Sequence, residues 1–295
     1  MAARPDAGTL CPSEYQASSG LVQRVEKSKP FRPLLRWAGG KTRLLSQLLD
    51  LVPVAWGRYV EPMVGSGALY FRLSPESALI GDINEDLLNF YRVVRRDHLA
   101  LYRTLSRMRP SRATYYRLRA STESASFHRA IRFAYLNRLC WNGLYRVNRS
   151  GHFNVPIGDR LPRRMWWKER FEQSARVLKR ATLVSGDFEK TLRHVGIGDF
   201  VYIDPPYRRG ATDVLGFNRY HRATFGLDDH IRIAECIQTL SRMRVKVMVT
   251  LGASSSVLRL YPGSMNRLAI TTPALISGNG HARRAVREIV ARNYS

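Results

Sequence analysis

Apolar positions along this chain switch between two periods. Residues 41–51 carry Leu44, Leu45, Leu48, Leu49 and Leu51 at helical spacing, which predicts a helix. Residues 58–61 predict a short strand running into a Gly-rich turn, 68–73 the start of a helix, and 78–83 a second strand closing on Asp82. That is a β-turn-α-β unit of the doubly wound kind. Residues 87–180 change character: they are Arg- and Tyr-rich, mostly helical in pattern, and broken at 142–158 by a Gly, Asn and Pro segment that suits a hairpin or an ordered loop. Strand patterns return at 182–184, 200–203 and 245–251, with a helix between the last two, and again at 288–291. The simplest assembly is one α/β sheet whose connection after the second strand has swollen into a helical lobe. Residues 31–84 and 181–295 would form the sheet domain and 85–180 the lobe. Residues 1–30, rich in Ala, Ser, Pro and Gly, would be a flexible tail.

Composition narrows the class. No run of about eighteen apolar residues occurs, and the first thirty residues lack a signal-peptide core, so a cytoplasmic protein without a membrane partner is expected. Cys11, Cys140 and Cys236 stand far apart with no CxxC spacing. They argue against a disulfide framework or a metal site and read as small buried thiols. Charge is the first functional signal. The net charge is +25 and the pI near 10.8. Residues 85–180 hold 22 Lys and Arg against 7 Asp and Glu, more than half of the surplus in a third of the chain. An excess this local usually meets phosphate, so the expected partner is a nucleic acid.

Four motifs carry chemistry. Trp37-Ala38-Gly39-Gly40-Lys41 precedes a helix; glycines there free N–H groups for an anion and Lys adds charge, although, taken alone, a plain helix-start turn accounts for it better. Glu61-Pro62-Met63-Val64-Gly65-Ser66-Gly67 follows a strand, where glycines admit a ligand close to the backbone. It has neither GxGxxG spacing nor a GK[ST] ending, so a dinucleotide site and a P-loop are unsupported. Asp82 ends the next strand, a position suited to ribose hydroxyls or to capping the helix that follows. Asp204-Pro205-Pro206-Tyr207 follows the apolar strand 200–203. Two prolines stiffen that turn and leave carbonyls free to accept, Asp adds an acceptor and Tyr a flat ring. A rigid double acceptor beside an aromatic face suits an exocyclic NH2 on a planar base.

WAGGK (37–41), EPMVGSG (61–67), GDIN (81–84), YLNRLCWNGLYRVNRSGHFNVPIG (135–158), DPPY (204–207) and ISGNG (276–280) occur in this order. Together they resemble the Dam-type (D12 class, group alpha) DNA adenine-N6 methyltransferases over roughly residues 31–293. Arg36 stands where that family often has Lys, Met63 where it usually has Phe, and Trp141 where it has Tyr or Phe. The resemblance implies a Rossmann-like S-adenosylmethionine-dependent methyltransferase sheet with an inserted, mainly helical DNA-recognition domain. It implies S-adenosylmethionine as methyl donor, no metal, and double-stranded DNA as the partner of a monomer. Carried over residue by residue, it puts the cofactor against Trp37, Lys41, Met63, Asp82, Ile83, Asp187, Phe188 and Asp204, with Lys41 on the cofactor carboxylate and Asp82 on the ribose. Catalysis falls to Asp204, Pro205, Pro206 and Tyr207, with the adenine flipped from the duplex and stacked on Tyr207. DNA contacts fall to Arg36, Trp141, Asn142, Leu144, Arg146 and Pro156. Arg146 would read a guanine, and Leu144 and Pro156 a thymine methyl, within GATC. Arg138, Arg149, Arg163 and Arg164 are expected on phosphates.

Two other readings stand beside this one. A methyltransferase for RNA or another amino group could share the motif, although cytosine-N4 enzymes favour Ser and protein-glutamine enzymes Asn where Asp204 stands. A DNA-binding protein that has lost catalysis is the second, against which the intact DPPY and WAGGK count. Protection against a cognate restriction nuclease, a phage role and strand marking for repair all fit the sequence.

Overall fold

The structure, a computed structural model, describes residues 32–148, 150–206, 225–272 and 286–295. Its centre is a seven-stranded sheet: β1 Tyr59–Glu61, β2 Ala78–Asp82, β3 Ala181–Ser185, β4 Phe200–Ile203, β5 Lys246–Gly252, β6 Asn266–Thr272 and β7 Val286–Arg292. The order across the sheet is β3-β2-β1-β4-β5-β7-β6, with β7 antiparallel to both of its neighbours and the pairs from β3 to β5 all parallel. β1, β2 and β4 are short, mainly apolar runs buried on both faces, whereas β3 at the sheet edge is mostly half-buried.

Alternation along those strands divides the core in two. Tyr59, Ile80, Phe200, Tyr202 and Met248 point to one face; Val60, Leu79, Val201, Ile203, Val247 and Val249 point to the other. The second face is covered by α7 (Phe188–Leu192) and α8 (Leu227–Arg242). On the first lie α1 (Leu45–Leu49), α2 (Ala68–Leu73), and the long α3 (Glu85–Arg107), which packs on α5 (Ser126–Leu139) and α6 (Lys168–Leu178) as well as on β2 and β3. α4 (Arg112–Ala120) adds to this group through α5, and α9 (Ser255–Leu258) follows β5. The first-face core therefore runs unbroken from the sheet into the helices of 85–180.

The mixed α/β architecture is the one the pattern predicts, with two local differences. Residues 41–51 are not one helix: Lys41–Arg43 forms a 3-10 turn, Leu44 interrupts at φ −99, ψ −1, and α1 is five residues long. Lys41 is pulled inward by partners described below, and Pro53 disfavours helix at the residue before it. The strand pattern also passes over β6. Asn266 to Ala269 are all exposed, Leu268 at 51%, and only Ile270 enters the core, so this edge strand shows no period of two.

Candidate active site

β1, β2 and β4 are parallel neighbours, so their carboxyl ends meet on one edge, at the point where the strand order reverses. Glu61 ends β1, Asp82 ends β2, and Asp204 follows β4. A cleft of about 1440 Å3 opens there, lined by these three acids and by Trp37, Lys41, Met63, Ile83, Asp187, Phe188, Pro205 and Pro206. It is the crevice in which ligands of doubly wound sheets sit.

The Gly-rich turn is held by its neighbours rather than by itself. Val64 N–H donates to Gly81 O at 2.8 Å, Gly65 N–H to Asp82 Oδ2 at 2.9 Å, and Tyr91 OH to Gly65 O at 2.7 Å. Gly65 has φ +47, and a Cβ there would lie 2.8 Å from Trp37 Nε1. The close approach of the WAGGK tryptophan to this turn thus requires glycine. Asp82 takes a second backbone donor, Asn84 N–H at 2.9 Å. It does not cap α3: that role belongs to Asn84, whose Oδ1 accepts from Leu87 N–H at 3.1 Å. Burial raises the Asp82 carboxyl from 3.8 to about 6, and the N–H groups of Asn84, Gly65 and Ile83 hold the rise in check.

Asp204 accepts from Thr250 Oγ1 at 2.6 Å and faces Lys41 Nζ at 2.7 Å, both through Oδ1. Lys41 is only 5% exposed; its ammonium also donates to Gly39 O at 3.0 Å and lies 3.7 Å from Glu288. The ammonium expected on a cofactor carboxylate therefore sits on the DPPY acid. Glu61 is buried and accepts from Tyr59 OH at 2.9 Å; burial, with the Asp204 and Asp82 charges, pushes its carboxyl well above the usual range. The cleft floor is thus acidic, with Lys41 as its cation.

On the far side, Asp187 caps α7, and its carboxylate meets Arg232 of α8 at 2.6 Å. Arg232 also reaches Glu189 at 2.8 Å and Asp229 at 3.0 Å while its guanidinium lies 4.6 Å from the centre of the Phe188 ring. Burial lowers its pKa, but the hydrogen bonds and charges of Glu189 and Asp187 outweigh that and hold it above the arginine value. Ile83 is 38% exposed beside this wall, an apolar surface with no packing role.

Residues 140–148 and 150–158 pair as an irregular hairpin, one of the two forms, hairpin or ordered loop, that the sequence allows at 142–158. Cys140 bridges Ile157 and Val147 bridges Phe153, with Asn154 N–H donating to Arg146 O at 3.1 Å. Tyr145, Val147, Phe153, Val155 and Ile157 are buried; Arg146, Asn154 and Pro156 turn outward. The period of two places Arg146 and Pro156 on the exposed face together. Arg146 Nε donates to Asn154 Oδ1 at 2.8 Å, which fixes the guanidinium plane. Trp141 and Asn142 are exposed on the cleft lip. Leu144 differs: it is 4% exposed, so it lines the cleft from within the core and offers a thymine methyl little surface. Arg36 is exposed, and Asn137 grips its backbone in both directions, at 3.0 Å and 2.7 Å. Gly143 makes the approach possible, since a Cβ there would lie 2.7 Å from Arg36 Cβ. Trp37 stacks on Tyr145, ring centres 6.1 Å apart, tying the WAGGK turn to the hairpin.

Tyr207, the ISGNG segment, Arg149 and the 1–30 tail lie outside the described residues. Residues that the sequence reading passed over include Thr250, 46 positions from Asp204, and Arg232; nothing local marks either. Among the described residues no cluster of His, Cys, Asp and Glu suited to a metal is present, and no helix is long and apolar enough to cross a membrane.

A sheet of this order, with a Gly-rich turn after β1 and acids at the ends of β1 and β2, defines the S-adenosylmethionine-dependent methyltransferase class. The sequence profile of the D12 class N6 adenine-specific DNA methyltransferases matches residues 37–271. The chain is 33% identical over 281 residues to the type II methyltransferase M1.LlaDCHI of Lactococcus lactis subsp. cremoris, covering 92% of this chain and 98% of that one. It is 32% identical over 288 residues to the type II methyltransferase M.MjaIII of Methanocaldococcus jannaschii, covering 89% and 99%. With the DNA adenine methylase of Vibrio cholerae it shares 30% over 270 residues, covering 89% and 96%. The protein belongs to the D12 class N6 adenine-specific DNA methyltransferase family.

Proposed function

We propose that this protein methylates N6 of an adenine flipped out of duplex DNA, within GATC, using Asp204 and the Pro205 carbonyl as the acceptors that activate the amine. The observation that carries this is the Lys41 ammonium 2.7 Å from Asp204 Oδ1. A nitrogen donor is already docked on the DPPY acid inside the cleft, which supports that acid as the seat of an exocyclic amine.

The cleft suits S-adenosylmethionine: Asp82 for the ribose, Ile83 and Phe188 for the adenine faces, Asp187 for its amine, Met63 and Trp37 at the walls. When bound it supplies a methyl group on a cationic sulfonium, which an acidic floor favours. Lys41 has two calls on it, the cofactor carboxylate and Asp204. Movement of its ammonium toward the carboxylate would expose Oδ1, which Thr250 keeps oriented. N6–H2 would then donate to Asp204 and to Pro205 O, drawing the nitrogen from planarity and freeing its lone pair. Positioning and fixed dipoles provide the acceleration. Flipping costs a few kcal/mol, part of which stacking on Tyr207 would return.

Two of the relatives carry type II methyltransferase names, which supports a restriction-modification setting with a cognate nuclease as partner. Methylation-sensitive sequencing of plasmid expressed with the protein tests the proposal. N6-methyladenine confined to GATC is expected; methyl groups on cytosine, or no transfer to duplex DNA, would overturn it.

Sequence choice should reside in the hairpin. Arg146→Ala is expected to cost about 1–3 kcal/mol on the preferred site and to relax preference at one guanine. Arg163→Ala, at an exposed position, should weaken binding to all sequences alike and flatten the salt dependence. Competition binding with single-base variants at two salt concentrations separates them. A uniform loss for Arg146→Ala would make it a phosphate contact and remove the main support for GATC.

A further inference from the structure

We infer that Trp167 and the arginines gathered on it form a clamp for the backbone phosphates beside the flipped adenine. The inference rests on the reading above that duplex DNA is the substrate, and it concerns a site outside the hairpin.

Trp167 sits at the N-cap of α6, half-buried on the cleft wall. The guanidinium carbon of Arg170 lies 4.2 Å from the centre of its ring system, that of Arg138 5.4 Å and that of Arg164 5.5 Å. These three come from different places: Arg170 from the first turn of α6, Arg138 from the end of α5, Arg164 from the connection between them. Arg36 adds a fourth, its Nη1 donating to Arg138 O at 3.5 Å. Among the described residues, none of these four pairs with a carboxylate.

Contrast with Arg232 is instructive. There the fold surrounds one guanidinium with three acids and the arrangement explains itself. Around Trp167 it gathers cations, half-buries Arg138 and Arg170 beside the exposed Arg36 and Arg164, and pairs none of them with a carboxylate among the described residues. Burial, with the charges of Arg170 and Arg36 behind it, lowers the Arg138 pKa to about 10. Cation–π contacts of about 0.5–2 kcal/mol hold the guanidinium planes in place. They do not cancel repulsion between like charges, so the cluster is matched to an anion that the described residues do not provide.

Location identifies the anion. Arg36, Arg138, Trp167 and Arg170 line the same cleft as Asp204, whereas the outward hairpin face with Arg146 lies off it. A duplex laid on the hairpin would bring its backbone to this rim where one nucleotide leaves the stack and its neighbouring phosphates swing inward. Forked guanidinium groups fit phosphodiester oxygens, and several of them fit a run of phosphates better than one cofactor carboxylate.

The test is a double-mutant cycle between protein and DNA, read by fluorescence anisotropy at two salt concentrations. Wild type, Arg170→Gln, Trp167→Ala and Trp167→Phe would bind duplexes with a single methylphosphonate at each of three phosphates on either side of the target adenine. The duplex carries the site found by sequencing, or GATC where none is found. Arg170→Gln is expected to bind roughly tenfold more weakly, with the log–log salt slope reduced by about one. One flanking methylphosphonate that weakens wild type to a similar degree should cost Arg170→Gln under about twofold. Trp167→Phe should behave as wild type and Trp167→Ala as Arg170→Gln, because only the first keeps the ring that holds the arginines. Equal sensitivity of wild type and Arg170→Gln to every methylphosphonate would overturn the clamp. Tritium transfer by the same wild-type preparation judges the substrate reading separately: adenine methylation with additive cycles sinks only the clamp, and its absence sinks only the activity.

Discussion

Asp204→Ala is expected to lower single-turnover methyl transfer by roughly 10³-fold or more, while duplex affinity stays within a few fold. The rate loss follows from removing a preorganised acceptor aimed at the reacting amine; losses of about 10²–10³-fold are typical for a single group of this kind. Here the loss should reach the upper end, because Thr250 Oγ1 at 2.6 Å would lose its acceptor along with the substrate. DNA affinity should change little, since Asp204 is not among the residues proposed to face the phosphates. Cofactor affinity is the more telling readout. Lys41 loses its 2.7 Å partner and keeps Gly39 O and the more distant Glu288, so its ammonium becomes more available to a cofactor carboxylate. Binding of S-adenosylmethionine to Asp204→Ala, measured by calorimetry, should be unchanged or tighter. Near-normal turnover would remove Asp204 from the mechanism; weaker cofactor binding would remove the competition proposed for Lys41.

The parts of this molecule legible in its sequence are those where short-range pattern and chemistry coincide. β4 is four apolar residues buried on both sides, and the reading 200–203 matches its bounds because the Asp-Pro-Pro turn ends it so sharply. β2 ends on Asp82, one residue short of the 78–83 reading, because Asn84 already caps α3. The hairpin was visible as an interruption of helix, and its alternation of buried and outward residues separates Arg146 from the core. What stayed hidden depends on contacts between distant positions. Lys41 reads as a free cation ahead of a helix, and only the sheet order brings Asp204 and Glu288 to it. Leu144 reads as an apolar tip, yet the approach of Gly143 to Arg36 draws it inside. β6 buries Ile270 but exposes the four residues before it, so no alternation announces it. Trp167 and Arg170 sit three apart in an Arg-rich stretch, and nothing in that stretch says that Arg138 would join them.

Asp82→Ala should lower both cofactor affinity and fold stability, with opposite dependence on pH. The buried carboxylate accepts from Gly65 N–H and Asn84 N–H, and without it both donors are stranded beside the Gly-rich turn. Each stranded donor costs about 1–3 kcal/mol. Against this, the ionised carboxylate is itself held at a cost. Its pKa rises from 3.8 to about 6 on folding, so the folded state binds more protons than the unfolded chain across that window. The wild type is therefore more stable at pH 4 than at pH 7, by roughly 2 kcal/mol from this group, and loses that increment as pH rises through about 6. Asp82→Ala lacks the increment, so its stability deficit in denaturant titrations should be largest near pH 4 and shrink toward pH 7. Cofactor binding should run the other way. Ribose hydroxyls donate best to the ionised form, so wild-type affinity should rise as pH passes about 6, and Asp82→Ala should be weaker by about 1–3 kcal/mol at pH 8 with little pH dependence. Asp82→Asn separates the two roles, since its amide keeps one acceptor oxygen but does not titrate in this range. It should restore part of the stability and none of the pH dependence. Calorimetric affinities for Asp82→Ala equal to wild type at pH 8 would mean that Asp82 only braces the turn and that the ribose lies elsewhere in the cleft.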